Sequence, residues 1–437
     1  MSARLAELLE SGEYLSYAYA YPHKTAYRTL DPAIDLRALW SSEDRRALFL
    51  YLHVPFCEQR CGFCNLFTQV QPKAAVEARY VEALDTQGRA IGEALAPATF
   101  ARVAIGGGTP TFLPADLLDR VLCVARSLGA HDLPTSIEVS PATLDDEKLA
   151  VLRAHGVTRV SMGVQSLFAA ETSAVQRRQS VADVERTLAL LTPIAIRNVD
   201  LIYGLPGQTE ASLRASIDRV LALGANELYL YPLYVRPLTI LGRRDAWKDE
   251  RLALYRAGRD HLQTLGWRQI SMRMFSAPAS PHATVEASAP MYRCQDDGMV
   301  GLGPGARSYA SSVHYATPFA VGQHAIRSRI QDWIALTPRE HATAVHGYRL
   351  DESERRRRFV LLSLLDRGIE RAPYRARFGA DVLEHFPELD QVLDTKLGTL
   401  DEASLRLNEL GLERADVLGA WLQSDEVRRA REGWEAA

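Results

Sequence analysis

Leu48-Phe-Leu-Tyr51-Leu-His53-Val54-Pro-Phe-Cys57-Glu-Gln-Arg-Cys61-Gly-Phe63-Cys64-Asn65 runs an apolar, strand-like segment straight into three cysteines. Their spacing is Cys-x3-Cys-x2-Cys, and three of the chain's five cysteines fall here. Structural zinc normally closes its shell with four protein ligands. Most iron–sulfur clusters also take four thiolates. Three thiolates on a [4Fe–4S] cube leave one iron without a protein ligand, and an open coordination position is where a metal centre reacts. The segment is too short for a disulfide framework, and the chain lacks the cysteine density of a stapled secreted domain.

Outward from this loop, short apolar runs alternate with longer amphipathic ones. Strand-like runs cover Leu48–Val54, Arg102–Ile105, Ser136–Val139, Arg159–Gly163, Asn198–Tyr203 and Glu227–Tyr231. Helix-like runs lie near 75–95, 115–128, 145–154, 181–191, 210–223 and 249–265. This alternation predicts an α/β fold of β/α units on a parallel sheet. About six units suggest a curved, partly open barrel, whose site forms at the C-terminal ends of the strands.

Each remaining motif ends a strand-like run. Gly106-Gly107-Gly108-Thr109-Pro-Thr111 lets backbone approach a ligand closely. Glu138, in Ile-Glu-Val-Ser-Pro141, can accept from ribose hydroxyls or an ammonium group. Ser161-Met-Gly-Val-Gln165-Ser166 is followed by Arg177, whose donor fork suits a carboxylate. Asp200-Leu-Ile-Tyr-Gly-Leu-Pro-Gly-Gln-Thr209 carries a further carboxylate and a turn, and Val300-Gly-Leu-Gly-Pro-Gly305-Ala-Arg-Ser-Tyr309 is a glycine-rich strand.

The 437 residues suffice for one large domain and a smaller one, and 47% hydrophobic with 24% charged residues is ordinary globular composition. A net charge of −3 gives no electrostatic case for nucleic acid. No uninterrupted apolar run is long enough to span a membrane. Glutamates interrupt the N-terminus where a signal peptide needs an apolar core, so a reducing cytoplasm is expected. Cys123, in an apolar run, reads as a small buried hydrophobe. Cys294, with Tyr292, Asp296 and Asp297, lies in a polar stretch that could contact substrate. The aromatic run Tyr14–Lys24 reads as an arm packed on the barrel, or as a cap over its mouth. Residues 272–345 look irregular, as a lid would. Glu354-Arg-Arg-Arg-Arg358 reads as one solvated helix face.

The cysteine spacing with Phe63, and the longer run Tyr51-Leu-His-Val-Pro-Phe-Cys57, resemble the radical S-adenosylmethionine (SAM) superfamily and, within it, the HemN-like branch. That branch includes the oxygen-independent coproporphyrinogen III dehydrogenase, the haem chaperone HemW, and SAM-dependent C-methylases and cyclopropanases. The resemblance spans about residues 48–310, with a weaker tail. It implies a partial (β/α)6 barrel at 46–310 after an N-terminal arm at 1–45. A connector at 311–345 and a mainly helical, winged-helix-like domain at 346–437 follow. It implies a [4Fe–4S] cluster on Cys57, Cys61 and Cys64, and one or possibly two SAM molecules. By matched position Tyr51, Gly107 and Glu138 serve the first SAM. Phe63, Gly108, Thr109, Gln165, Arg177 and Asp200 serve the second, or a different substrate. The implied activity is reductive SAM cleavage acting on a small molecule, by hydrogen abstraction or carbon transfer, with an electron donor such as flavodoxin or ferredoxin.

Two departures weaken the best-known activities of the branch. The dehydrogenase has a further cysteine where this chain has Leu66. The chaperone's His-Asn-x-x-Tyr-Trp run is replaced by Met291-Tyr-Arg-Cys-Gln-Asp-Asp-Gly298, which offers no axial histidine to haem. A porphyrinogen decarboxylase would need a basic mouth, for which Arg236, Arg243, Arg244 and Arg273 are available.

Overall fold

The computed structural model describes residues 5–12, 14, 19–235, 239–243, 249–280, 294, 298–366 and 368–434. Among them, thirteen strands form one large sheet, numbered here in chain order. They are β1 Arg28–Asp35, β2 Leu48–Val54, β3 Phe100–Gly107, β4 Thr135–Val139, β5 Arg159–Gln165, β6 Ile196–Tyr203, β7 Glu227–Pro232, β8 Arg268–Gln269, β9 Met274–Ser276, β10 Met299–Leu302, β11 Arg307–Tyr309, β12 Val313–Ala316 and β13 Thr343–Arg349. Their spatial order is β1-β13-β12-β11-β10-β2-β3-β4-β5-β6-β7-β9-β8. From β10 through β7 every neighbouring pair is parallel. The flanking pairs are antiparallel, so the barrel stays open.

All six expected strands are present, and a long helix follows each of them. These are α1 Ala74–Leu95, α2 Ala115–Ser127, α3 Asp146–Ala154, α4 Val181–Leu190, α5 Glu210–Ala222 and, after β7, α6 Arg251–Thr264. The period-2 pattern explains β2. Leu48, Leu50, Leu52 and Val54 bury in the main core, while Phe49 and Tyr51 are only half-buried on the other face. Helix starts are marked by polar caps. Asp145, Ser180 and Thr209 accept from the third backbone N–H of α3, α4 and α5, and Thr209 with Ser212 closes a reciprocal capping box.

The stretch 272–345 is more regular than its sequence suggests. It supplies β9 to β12 and a helix over Gln323–Ile334 whose Ile326, Ile330 and Trp333 join the main core. Pairing with sheet neighbours supplies the order that local proline and alanine content does not predict. The large sheet therefore continues past residue 310.

A second core gathers Leu5, Tyr21 and Tyr27 from the N-terminal arm with Tyr348, Phe359, Tyr374, Val417 and Trp421. It includes a small sheet of Ile369–Glu370, Ser404–Leu407 and Gly398–Leu400. The arginine run is not a solvated face. Arg358 is fully buried against His314 Nε2 at 2.7 Å, and Arg357 donates to the Leu422 carbonyl at 3.0 Å. Cys123 is exposed on α2 rather than buried, because its helical position faces away from the sheet. Of the aromatic arm, residues 15–18 lie outside the described residues, as do Arg236, Arg244, Tyr292, Asp296, Asp297 and the side chain of Arg243.

Candidate active site

The cysteine loop leaves β2 and crosses the C-terminal end of the sheet. Phe56–Cys57 pairs with Gln69–Val70, which pins both ends of the loop. Cys64 N–H donates to the Cys61 carbonyl at 3.0 Å, making a tight turn. Gly62 N–H donates to the Val175 carbonyl at 2.8 Å, and Leu241 N–H returns to Gly62 at 3.1 Å. Gln59 brackets the backbone of Arg178, accepting at 2.9 Å and donating at 2.7 Å. The loop is therefore held from two directions by chain segments that follow β5 and β7.

The glycine triplet lies against this loop. Gly108 N–H donates to Val54 at 2.8 Å and Thr109 N–H to Phe56 at 2.7 Å. A Cβ on Gly108 would fall on the Phe56 carbonyl oxygen. Gly107 has φ of +115°, and a Cβ there would lie 2.6 Å from the His53 ring. Both positions require the absence of a side chain. The hydroxyl of Thr109 reaches Cys57 Sγ at 3.6 Å.

Cys57, Cys61 and Cys64 are free thiols that feel one another's charge. Burial is the main force on Cys57, pushing it up to about 12, and it raises Cys64 as well. Thiols so placed ionise when a metal supplies the compensating charge. Among the described residues, the set whose ligand atoms all lie within 4.8 Å is Asp119, Cys123 and His155, on the outer surface. The three loop sulfurs are spread more widely. A single tetrahedral ion with bonds of about 2.3 Å would draw thiolates closer than that. Three free thiols on one short loop are the donor set of a [4Fe–4S] cluster that keeps one iron open.

Two carboxylates face the lumen beside it. Glu138, on β4, accepts from the Gly107 N–H at 3.0 Å. Its side chain is exposed at the end of β4. Its carboxyl is pushed up to about 7, chiefly by burial; the Gly107 bond opposes this and Asp200 adds repulsion. Asp200, on β6, is pushed up to about 6, again chiefly by burial. Asn198 Nδ2 donates to it at 2.7 Å and Ser161 Oγ at 3.3 Å. Tyr51, on β2, senses the Glu138 charge.

Gln165 ends β5 at φ of +70°, where the register with β6 shifts between Gly163 and Gln165. Such a conformation in a non-glycine residue is held by its surroundings. Arg177 does not reach freely into the lumen. Its guanidinium donates to Gln179 Oε1 at 2.7 Å, to the Gly163 carbonyl and to Cys61 Sγ at 3.4 Å. Arg178 is exposed. Phe63 packs with Val175, Ile202, Leu205, Leu233 and Leu241. Arg273 is buried and paired with Asp416, so it fronts no mouth.

These arrangements match known proteins. The profile of the radical SAM superfamily matches residues 51–220.

Over that stretch the chain resembles the radical SAM superfamily.

Within this superfamily it is HemN-like. It is 29% identical to the oxygen-independent coproporphyrinogen III oxidase of Cereibacter sphaeroides over 348 residues, covering 76% of each chain. It is 35% identical to the heme chaperone HemW of Mycobacterium tuberculosis over 201 residues, covering 45% of this chain and 52% of that one. Coproporphyrinogen III oxidase (HemN) from Escherichia coli shares the fold at a TM-score of 0.76 and 22% identity, over 96% of this chain and 99% of that one. The cofactors of a radical SAM protein are a [4Fe–4S] cluster and SAM. No helix among the described residues is long and apolar enough to cross a membrane.

Sequence reasoning passed over several residues that shape this radical SAM lumen. Arg159, whose Nε donates to Glu227 Oε1 at 2.9 Å, helps set the charge on Asp200, and Asn198 orients it. A signal was present. Arg159, Ser161, Asn198, Asp200 and Glu227 are polar residues at alternate positions of otherwise apolar strands, which places them together on the inner face.

Proposed function

We propose that this protein removes a hydrogen atom from a small organic substrate held in the barrel lumen. When bound, the cluster and SAM supply a 5′-deoxyadenosyl radical for that step. Cys57, Cys61 and Cys64 would hold the cluster by their three thiolates. The backbone of Gly107 and Gly108 admits the ligand where a side chain would block it. Glu138 and Asp200 attract the positive charge of SAM and accept from its ammonium or ribose hydroxyls. Tyr51 walls the adenosyl group, and Phe63, Thr109 and Gln165 border the space beside it. Arg177 serves the cysteine loop first, through Cys61, and retains further N–H donors for a carboxylate. A second SAM on Phe63, Gly108, Thr109, Gln165, Arg177 and Asp200 would open carbon transfer. Reduction by a flavodoxin or ferredoxin in the cytoplasm suits an oxygen-labile centre.

The observation that carries this reading is the trio of free cysteines docked on a glycine loop whose Gly107 N–H meets the Glu138 carboxylate. Anaerobic reconstitution, then SAM and dithionite, should yield 5′-deoxyadenosine. Reconstituted protein that retains its cluster and never forms it would rule the reading out.

The names of the relatives support a second reading, oxidative decarboxylation of a porphyrinogen. Leu66 in place of cysteine and the buried pairing of Arg273 count against it. Incubation with coproporphyrinogen III separates the two, and S-adenosylhomocysteine or methylthioadenosine among the products would mark carbon transfer. A Soret shift on haem titration would instead support a chaperone.

A further inference from the structure

Arg307 opens β11, in the glycine-rich segment at the edge of the parallel strands. Its Nη1 is buried and has no hydrogen-bond partner among the described residues. Its neighbours are rings. The guanidinium carbon lies 4.9 Å from the Tyr19 centroid and 5.7 Å from that of Tyr309. Tyr27 and Tyr51 complete the surroundings that hold its charge most strongly. Burial pushes Tyr27, Tyr51 and Tyr309 upward, so these phenols stay neutral at physiological pH. Three other arginines that point into the fold are matched by carboxylates: Arg159 by Glu227, Arg259 by Glu413 and Arg273 by Asp416. Among the described residues Arg307 makes no ion pair with a carboxylate. Arg307 itself is half-buried, but a guanidinium nitrogen shut off from water without an acceptor is costly, and rings compensate only part of that cost.

The position of Arg307 says what the missing anion belongs to. Tyr51 feels the charges of both Glu138 and Arg307, in opposite directions. The lumen is thus divided. The part with Glu138 and Asp200, near the cysteine loop, suits the net positive charge of SAM. The part around Arg307 is positive and aromatic, with the guanidinium set over Tyr19 of the N-terminal arm. We propose that Arg307, between Tyr19 and Tyr309, binds an anionic group, carboxylate or phosphate, of the substrate. This rests on the lumen being the site of the proposed radical chemistry.

The test is calorimetric titration of the anaerobically reconstituted protein with glutarate, inorganic phosphate and SAM in turn. One of the two anions binds saturably to the parent protein. Arg307→Met weakens that binding by about tenfold or more, the loss expected for a charge-assisted hydrogen-bond pair. Arg307→Lys restores part of it, and SAM affinity stays that of the parent in both variants. Arg307→Gln, with melting curves, replaces Arg307→Met if the latter melts early. Absence of saturable anion binding in the parent overturns the proposal, as does equal binding in Arg307→Met. A parallel loss of SAM affinity also overturns it, because the guanidinium would then hold the carboxylate of SAM itself. Failure to form 5′-deoxyadenosine would strike the radical reading alone, since the titrations require no turnover.

Discussion

At the residue scale the site depends on what is absent as much as on what is present. Gly108 has no room for a methyl group against Phe56. Gly108→Ala should therefore displace the cysteine loop, giving a folded protein that retains less iron after reconstitution; iron and sulfide assays against far-UV circular dichroism check this. Cys57→Ala, Cys61→Ala or Cys64→Ala should each abolish 5′-deoxyadenosine formation, read by chromatography. Glu138 gives a pH signature. Its carboxyl moves from an ordinary 4.5 to about 7, so the folded protein holds this proton longer than the unfolded chain does. The stability it contributes is full below about 4.5 and fades as pH climbs towards 7. Binding of cationic SAM runs the other way, tightening as Glu138 and Asp200 ionise. The groups facing Glu138 are the Gly107 N–H, Tyr51, Asp200 and Arg159. SAM titrations from pH 5.5 to 8 should show rising affinity, and Glu138→Gln should flatten the rise. An unchanged slope in that variant would remove Glu138 from the SAM site.

At the element scale, the ends of the barrel strands are fixed by side chains that reach back to the backbone. Gln208, after β6, accepts from Gly204 N–H at 2.7 Å and donates to the Ile202 carbonyl at 3.0 Å. It also donates to Glu171 Oε2 at 3.3 Å, which accepts from Ser166 at 2.6 Å. Gln208 and Glu171 are both buried. Gln208→Ala would strip a buried carboxylate of one partner and free the loop after Asp200. A loss on the order of 2 kcal/mol in denaturant unfolding is expected, with weakened SAM binding. The strands themselves were legible, since their apolar alternation and the turns between them are local signals. The antiparallel flank from β9 to β12 was not, because short strands there are defined by sheet partners distant in sequence.

At the scale of the whole molecule, charged ties join the barrel to the C-terminal helices. Arg273 donates to both Asp416 oxygens, at 2.9 and 2.8 Å, and to the Tyr203 hydroxyl at 2.9 Å. Tyr234 donates to the same Asp416. Nearby, Arg256 and Arg259 converge on Glu413. Asp416→Ala would leave Arg273 buried without its counter-ion, so a loss of about 3–5 kcal/mol is expected, read as an earlier unfolding midpoint. An unchanged midpoint would show that the helices are held by their apolar contacts alone. The sequence by itself determined the radical SAM barrel and the order of its site motifs. Cysteine spacing is a ligand rule, and strand-end placement follows from periodicities of two and 3.6 that operate over a few residues. Only the tertiary structure decided that Arg177 supports Cys61, that Arg273 is a buried tie and that Arg307 has no carboxylate partner among the described residues. The charge state and partner of a side chain depend on groups hundreds of residues away, brought close by the closure of the sheet.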